Sequence, residues 1–243
     1  MSPQAIAQTL DHALLHPTLL PSEVASGCAL ISQLGVASVC VRPQDIALAC
    51  RHTQGPTAVG TVIGFPHGST GTSVKVYETQ WSIEQGATEL DLVIPIGYAL
   101  EKDWAYVTQE IRAIRRASQG YILKVIFETD YLTDPLFQER LIHICVEEGA
   151  DFIKSSTGFG FVKGPNGWET AGARPEDLAR WALFPIQRKA SGGIRTLEDA
   201  LQFLSLGCTR LGTSSTVKIL EEAYAQAGMN FTIPTLSSSQ MGY

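Results

Sequence analysis

Asp151-Phe152-Ile153-Lys154-Ser155-Ser156-Thr157-Gly158 and Arg188-Lys189-Ala190-Ser191-Gly192-Gly193-Ile194-Arg195-Thr196 are built alike. In each, a strand-like run ends in a lysine and opens into a loop of small residues. The two lysines stand 35 positions apart (189 − 154). Lysine is strongly hydrated and is rarely buried without a partner or a task. Two amines held close together disfavour each other's charge. The neutral amine of such a pair can attack a carbonyl and form a Schiff base. The two runs therefore point to lysine-dependent carbonyl chemistry with no cofactor.

Short β-branched runs and longer amphipathic runs alternate outward from this pair. Strands are expected near Asp11–Leu15, Ala37–Val41, Ala58–Phe65, Glu89–Pro95, Ile122–Phe127, Phe152–Ser155, Ile186–Lys189 and Arg210–Gly212. Helices are expected over Ser73–Gln85, Trp104–Ala117, Asp134–Glu148, Thr196–Leu206 and Ser215–Ala227. Thr196-Leu197-Glu198-Asp199 supplies a cap residue and early acids, and Gly207 stops that helix. Eight strand-then-helix units without a Pro/Ser-rich linker predict one α/β domain over residues 1–243, a closed (β/α)8 TIM barrel. A doubly wound open sheet is the structural alternative, and the count of eight favours the barrel. No GxGxxG follows the first strand and no GxxxxGK[ST] occurs, so a dinucleotide fold or an NTPase has little support. Phe159–Ala173 reads as a long Gly-rich loop over the mouth, mobile without ligand. Residues 232–243 read as a mobile tail.

The chain's 243 residues suit one barrel. The formal net charge of −6 argues against general nucleic-acid or membrane-surface binding. The five cysteines, Cys28, Cys40, Cys50, Cys145 and Cys208, are scattered and form no CxxC pair. Neither structural zinc nor a disulfide framework is expected, which favours a reducing cytoplasm. No signal peptide is read at the start, and no apolar run reaches the length of a membrane helix.

In such a barrel the chemistry sits at the C-terminal ends of the strands. Neighbouring strands lie about 4.8 Å apart, so Lys154 and Lys189 can be near neighbours. Asp91 stands inside the apolar run Leu90-Asp91-Leu92-Val93-Ile94-Pro95, where an acid is costly unless paired. It reads as a salt-bridge partner of Lys124 and as a general acid/base; the two readings are compatible. Lys124, in Leu123-Lys124-Val125, completes a plausible proton network. Glu128 reads as a rim residue that pairs with a lysine. Gly192-Gly193 follow the seventh strand, and Gly212-Thr213-Ser214-Ser215 follow the eighth and open a helix. These are the places where barrels often bind phosphate, with Arg195 as an added charge. The bland alternative is a pair of ordinary turns. His12 and His16 lack a third ligand, so no metal is expected, and Cys40 reads as a small core residue.

These stretches together resemble the 2-deoxyribose-5-phosphate aldolases, class I Schiff-base enzymes. The resemblance runs in order through Asp11-His12-Ala13-Leu14-Leu15, Val62-Ile63-Gly64-Phe65-Pro66, Glu89-Leu90-Asp91-Leu92-Val93, Leu123-Lys124-Val125-Ile126-Phe127-Glu128-Thr129, both lysine runs and Gly212-Thr213-Ser214-Ser215. It implies a (β/α)8 barrel with a short N-terminal helix, no metal and no organic cofactor. Lys154 matches the Schiff-base lysine, Lys189 the lysine that lowers its pKa, Asp91 the proton-moving acid and Lys124 the lysine beside it. Gly158, Gly192, Gly193, Arg195, Gly212, Ser214 and Ser215 match the phosphate region. Tyr243 matches a tail tyrosine that assists proton exchange in part of the family. The implied reaction cleaves 2-deoxyribose 5-phosphate to glyceraldehyde 3-phosphate and acetaldehyde, in deoxyribose phosphate catabolism.

Three departures stand out. His16 occupies a place that is lysine in many members, Phe159 one that is lysine in some, and Phe159–Ala173 is long. A homodimer is expected. The competing readings are another phosphate-binding barrel lyase, synthase or isomerase that uses the lysines without an imine, and a barrel that binds a sugar phosphate without turnover.

Overall fold

Alternation along each strand places polar and apolar residues on opposite faces, and that division builds the molecule. The computed structural model describes residues 1–164 and 167–235. Its strands are β1 (Leu10–Leu14), β2 (Ser38–Val41), β3 (Ala58–Ile63), β4 (Glu89–Val93), β5 (Ile122–Ile126), β6 (Phe152–Lys154), β7 (Val162–Gly164), β8 (Gly167–Glu169), β9 (Gln187–Ser191) and β10 (Arg210–Thr213). All but β7 and β8 close into a parallel barrel, with β1 between β2 and β10 and β6 beside β9. This is the (β/α)8 barrel that the eight units predict.

The helices are α1 (Pro3–Ala7), α2 (Pro21–Ser32), α3 (Ile46–His52), α4 (Thr72–Glu84), α5 (Ile96–Leu100), α6 (Trp104–Ala117), α7 (Pro135–Glu147), α8 (Pro175–Trp181), α9 (Leu197–Ser205) and α10 (Thr216–Gln226). The expected short N-terminal helix is α1. Local chemistry sets their starts. Asp103 and Asp134 accept from the backbone N–H groups of Tyr106 and Leu136. Thr196 and Asp199 form a reciprocal capping box at α9. The sequence reading leaves out α2, α3, α5 and α8. Three of these are too short to show a period. In α2 the buried side includes Ala25, Cys28 and Ala29, which contrast weakly with their polar neighbours.

Leu90, Leu92, Leu123, Val125 and Ile153 face the helices and are fully buried. Each contributes about 1.5–3 kcal/mol of burial energy, which helps to offset the charges that the alternate positions aim into the barrel. Two expectations are corrected. The stretch Phe159–Ala173 is not loop throughout, because β7 and β8 pair antiparallel within it, Lys163 opposite Trp168. Lys189 does not end its strand: β9 continues to Ser191. Among the described residues no helix is long and apolar enough to cross a membrane.

Candidate active site

Asp91 is the hub of the barrel interior. Its Oδ2 accepts from Nζ of Lys154 and from Nζ of Lys189, each at 2.8 Å, and its Oδ1 accepts from Nζ of Lys124 at 3.0 Å. The strands dictate this meeting. Asp91 and Lys124 are Cα partners across β4 and β5, as are Lys154 and Lys189 across β6 and β9. The sequence-derived quartet of Lys154, Lys189, Asp91 and Lys124 is therefore one cluster. Its members are no more than 3% exposed, so solvent does little to screen them.

Three further charges lie in the cluster. Asp11 Oδ2 is 2.5 Å from Lys189 Nζ and 3.3 Å from Lys124 Nζ. Glu89 accepts from Lys124 Nζ at 2.6 Å. Arg210 donates through Nε to Asp11 Oδ1 at 2.8 Å and through Nη2 to the carboxylate of Glu89. Sequence reasoning missed these three as site residues. For Glu89 a signal was present, since it stands two residues from Asp91 and so shares its strand face.

The environments push the two lysines apart. Burial is the largest influence on Lys154 and drives its amine below the ordinary lysine range; Asp91 pulls back, and the Lys189 ammonium pushes further down. For Lys189 burial also acts downward, but Asp11 and Asp91 outweigh it and its amine stays above the ordinary range. Lys124 behaves likewise under Asp11, Asp91 and Glu89. Burial favours protonated Asp11 and Asp91, yet the surrounding cations hold both well below the usual carboxylate range. The site thus keeps one amine ready to lose its proton beside another that holds its own.

A cavity of about 440 Å³ opens above the cluster. Lys154, Lys189, Asp11 and Cys40 stand at its inner end. Asp91 and Lys124 are not on its wall but beneath it. Gly158, Gly192, Gly193, Arg195, Gly212 and Ser214 line it, as the phosphate reading expects; Ser215 does not, and stands at the N-terminal boundary of α10. Tyr243 lies outside the described residues.

The DeoC/LacD family aldolase model matches residues 5–207. The chain belongs to the DeoC/LacD aldolase family. It is 40% identical over 232 residues to the deoxyribose-phosphate aldolase of Carboxydothermus hydrogenoformans, covering 91% of this chain and 96% of that one. It is 40% identical over 231 residues to the deoxyribose-phosphate aldolase of Thermococcus kodakarensis, covering 92% and 99%. The tetrameric deoxyribose phosphate aldolase structure from Aeropyrum pernix superposes with a TM-score of 0.79 at 31% identity, covering 94% of each chain.

In this DeoC/LacD aldolase, glycine is required at two places near the cavity. A Cβ on Gly212 would sit 2.7 Å from Ser191 Cβ and 3.3 Å from Lys189 Cε, so glycine makes room for the lysine stem. Gly192 has φ +91°, and a Cβ there would meet Gly172 Cα at 2.8 Å. That contact, with Ala173 N–H donating to Gly192 O at 3.1 Å, docks the end of the 159–173 segment on the loop after β9.

Glu128 corrects the sequence reading. Among the described residues it pairs with no lysine; its carboxylate accepts from Ser156 Oγ at 2.8 Å and from Thr157 N–H at 3.2 Å. It does so from φ +53°, an uncommon conformation for glutamate, and so clamps the turn that follows Lys154. His12 is buried with its hydrogen bond made, Nδ1 standing 2.9 Å from Thr216 Oγ1. His16 lines the cavity mouth, with Nδ1 2.8 Å from Thr18 Oγ1. Phe159 packs edge-on to Phe65 at 5.3 Å between ring centroids.

Proposed function

We propose that this chain reversibly cleaves 2-deoxy-D-ribose 5-phosphate to D-glyceraldehyde 3-phosphate and acetaldehyde through a Schiff base on Lys154. The single observation that carries the reading is Lys154 with a depressed pKa at the inner end of a cavity, sharing Asp91 Oδ2 with an ammonium that stays charged. The family membership and the relatives' activity support it.

The neutral Lys154 amine adds to C1 of the open-chain sugar, and the carbinolamine loses water to give an iminium. The iminium draws in the electron pair of the C2–C3 bond as the C3 hydroxyl gives up its proton. Glyceraldehyde 3-phosphate leaves. The enamine takes a proton at C2, and hydrolysis returns acetaldehyde and the free amine. Asp91 holds Lys154 and, through a water, moves protons at the carbinolamine and enamine steps. Lys189 and Lys124 stay protonated and keep Asp91 ionised. Gly158, Gly192, Gly193, Arg195, Gly212 and Ser214 receive the phosphate, with Ser215 contributing the start of α10. Tyr243 assists proton exchange at the enamine carbon.

The enzyme is proposed to work in the cytoplasm, as a homodimer of single barrel domains, on small-molecule substrates alone. The test is borohydride reduction with acetaldehyde, followed by peptide mass spectrometry. An ethyl adduct on Lys154, absent in Lys154→Ala, is expected. Turnover with no adduct on any lysine would replace this reading with an imine-free barrel enzyme.

A further inference from the structure

The buried charges in the barrel can be set against one another. The carboxylates are Asp11 on β1 and Glu89 and Asp91 on β4. The cations are Lys124 on β5, Lys154 on β6, Lys189 on β9 and Arg210 on β10. No titratable residue lies on β3. From β2 comes Cys40, whose thiol burial pushes up to about 11, so it is neutral at ordinary pH. His12, on the outward face of β1, is pushed down to about 4 by burial and is also neutral. Three carboxylates therefore face four basic side chains.

Arg210 decides which of the four goes without a counter-charge. A guanidinium does not give up its proton in a protein. Here it binds both Asp11 and Glu89. Those two carboxylates also serve Lys124 and Lys189. With Arg210 present, Asp91 has to complete the neutralisation of Lys124 and Lys189, which both contact it. Without Arg210, Asp11 and Glu89 would match Lys124 and Lys189, and Asp91 would belong to Lys154.

We propose that Arg210 is a positioning residue of the reaction: by occupying Asp11 and Glu89, it leaves Lys154 as the surplus base among the described residues. This makes the Lys154 amine the one that deprotonates. Arg210 does not itself line the cavity; it reaches the wall through Asp11 and acts through the ion network. Its guanidinium carbon also lies 5.9 Å from the Phe152 ring centroid, a cation–π contact.

The inference rests on Lys154 being the imine lysine, so its test reads imine formation directly. Full-length wild type and variants are trapped with acetaldehyde and borohydride across pH 5–10, and the Lys154 adduct rate is followed by mass spectrometry. Arg210→Met is expected to move the acid limb upward by about one pH unit, roughly a tenfold slower trapping on that limb. Glu89→Gln removes an anion instead and is expected to move the limb downward. Arg210→Met/Glu89→Gln restores the balance and is expected to return the limb toward wild type, while Arg210→Lys leaves it in place. Limbs that stay put in both single variants, or that move in the same direction, would overturn the proposal. Glu89→Gln and Arg210→Lys keep the test open if Arg210→Met does not fold. A wild-type protein that traps no aldehyde on Lys154 would instead reject the aldolase mechanism itself.

Discussion

Lys154 and Lys189 are Cα partners across β6 and β9, and their Nζ atoms donate to one and the same oxygen of Asp91, each at 2.8 Å. Asp91 also accepts from Lys124 through its other oxygen, so one negative charge is shared among three amines. Asp11, 2.5 Å from Lys189 Nζ, resolves the competition in favour of charge on Lys189. Lys154 is left as the base.

Replacing Lys154 with Met keeps the stem and removes the amine. Turnover should fall by roughly 10⁴-fold or more, because the steps of the covalent route depend on each other. Steady-state kinetics and the absence of a trapped adduct check this. Retention of more than a tenth of wild-type turnover would contradict the assigned nucleophile.

Asp91→Asn removes the anion shared by Lys124, Lys154 and Lys189. Breaking such a buried network costs about 3–5 kcal/mol, and losing the proposed proton-moving group should cost roughly 10²–10⁴-fold in rate. Urea unfolding and kinetics measure the two effects separately. The pH dependence has a definite sign. The Asp91 carboxyl titrates well below its unfolded value, so its stabilisation is present above about pH 4 and fades as pH falls toward the folded pKa. Wild type should lose stability over that acid range, and Asp91→Asn should lose less.

Arg195 is exposed at the cavity wall. A charge-assisted hydrogen bond to phosphate contributes about 1.5–3 kcal/mol net, and exposure places it at the low end. Arg195→Ala should raise KM for 2-deoxyribose 5-phosphate roughly tenfold with little change in kcat, and should leave the unphosphorylated sugar unaffected. Equal losses on both sugars would remove Arg195 from the phosphate site.

Lys75 and Glu110 form a second buried pair between α4 and α6. Lys75 Nζ is 2.6 Å from Glu110 and donates to Val93 O at 2.9 Å, at the end of the strand that carries Asp91. Lys75→Met leaves Glu110 buried and unpaired, at a cost of about 3–5 kcal/mol. The double variant Lys75→Met/Glu110→Leu should recover most of that loss in chemical denaturation. Non-recovery would mean that the lysine's bond to Val93 O dominates.

His12 is pushed down to about 4 by burial. Below about pH 6.5 the unfolded chain takes up a proton that the folded barrel refuses. Stability should therefore fall between about pH 6.5 and 4, by up to roughly 3 kcal/mol, and level off below. His12→Asn keeps an acceptor for Thr216 and should flatten that stretch of the profile. An unchanged slope would assign it to other groups.

The barrel and its buried lysines were legible in the chain because both rest on local signals. Apolar alternation marks a strand, and a charge set into it, as at Asp91, Lys124 and Lys154, stands out against its neighbours. The short helices α3, α5 and α8 were not legible, because five to seven residues are too few for a period. The β7–β8 hairpin was hidden within Gly-rich sequence that reads as loop. Glu128 looked like a rim acid because nothing local says that its backbone turns left-handed and aims the carboxylate at Thr157.

The amino-acid sequence by itself determined the alternation of strand and helix, and with it the closed barrel and the lysines that point into it. Only the tertiary structure decided which charges meet. Asp11, Glu89 and Arg210 come from strands far apart in the chain, and barrel closure brings β1 beside β10. The state of the Lys154 amine follows from that closure, because in a low-dielectric interior the sum of nearby charges, and not the residue type, sets which amine keeps its proton.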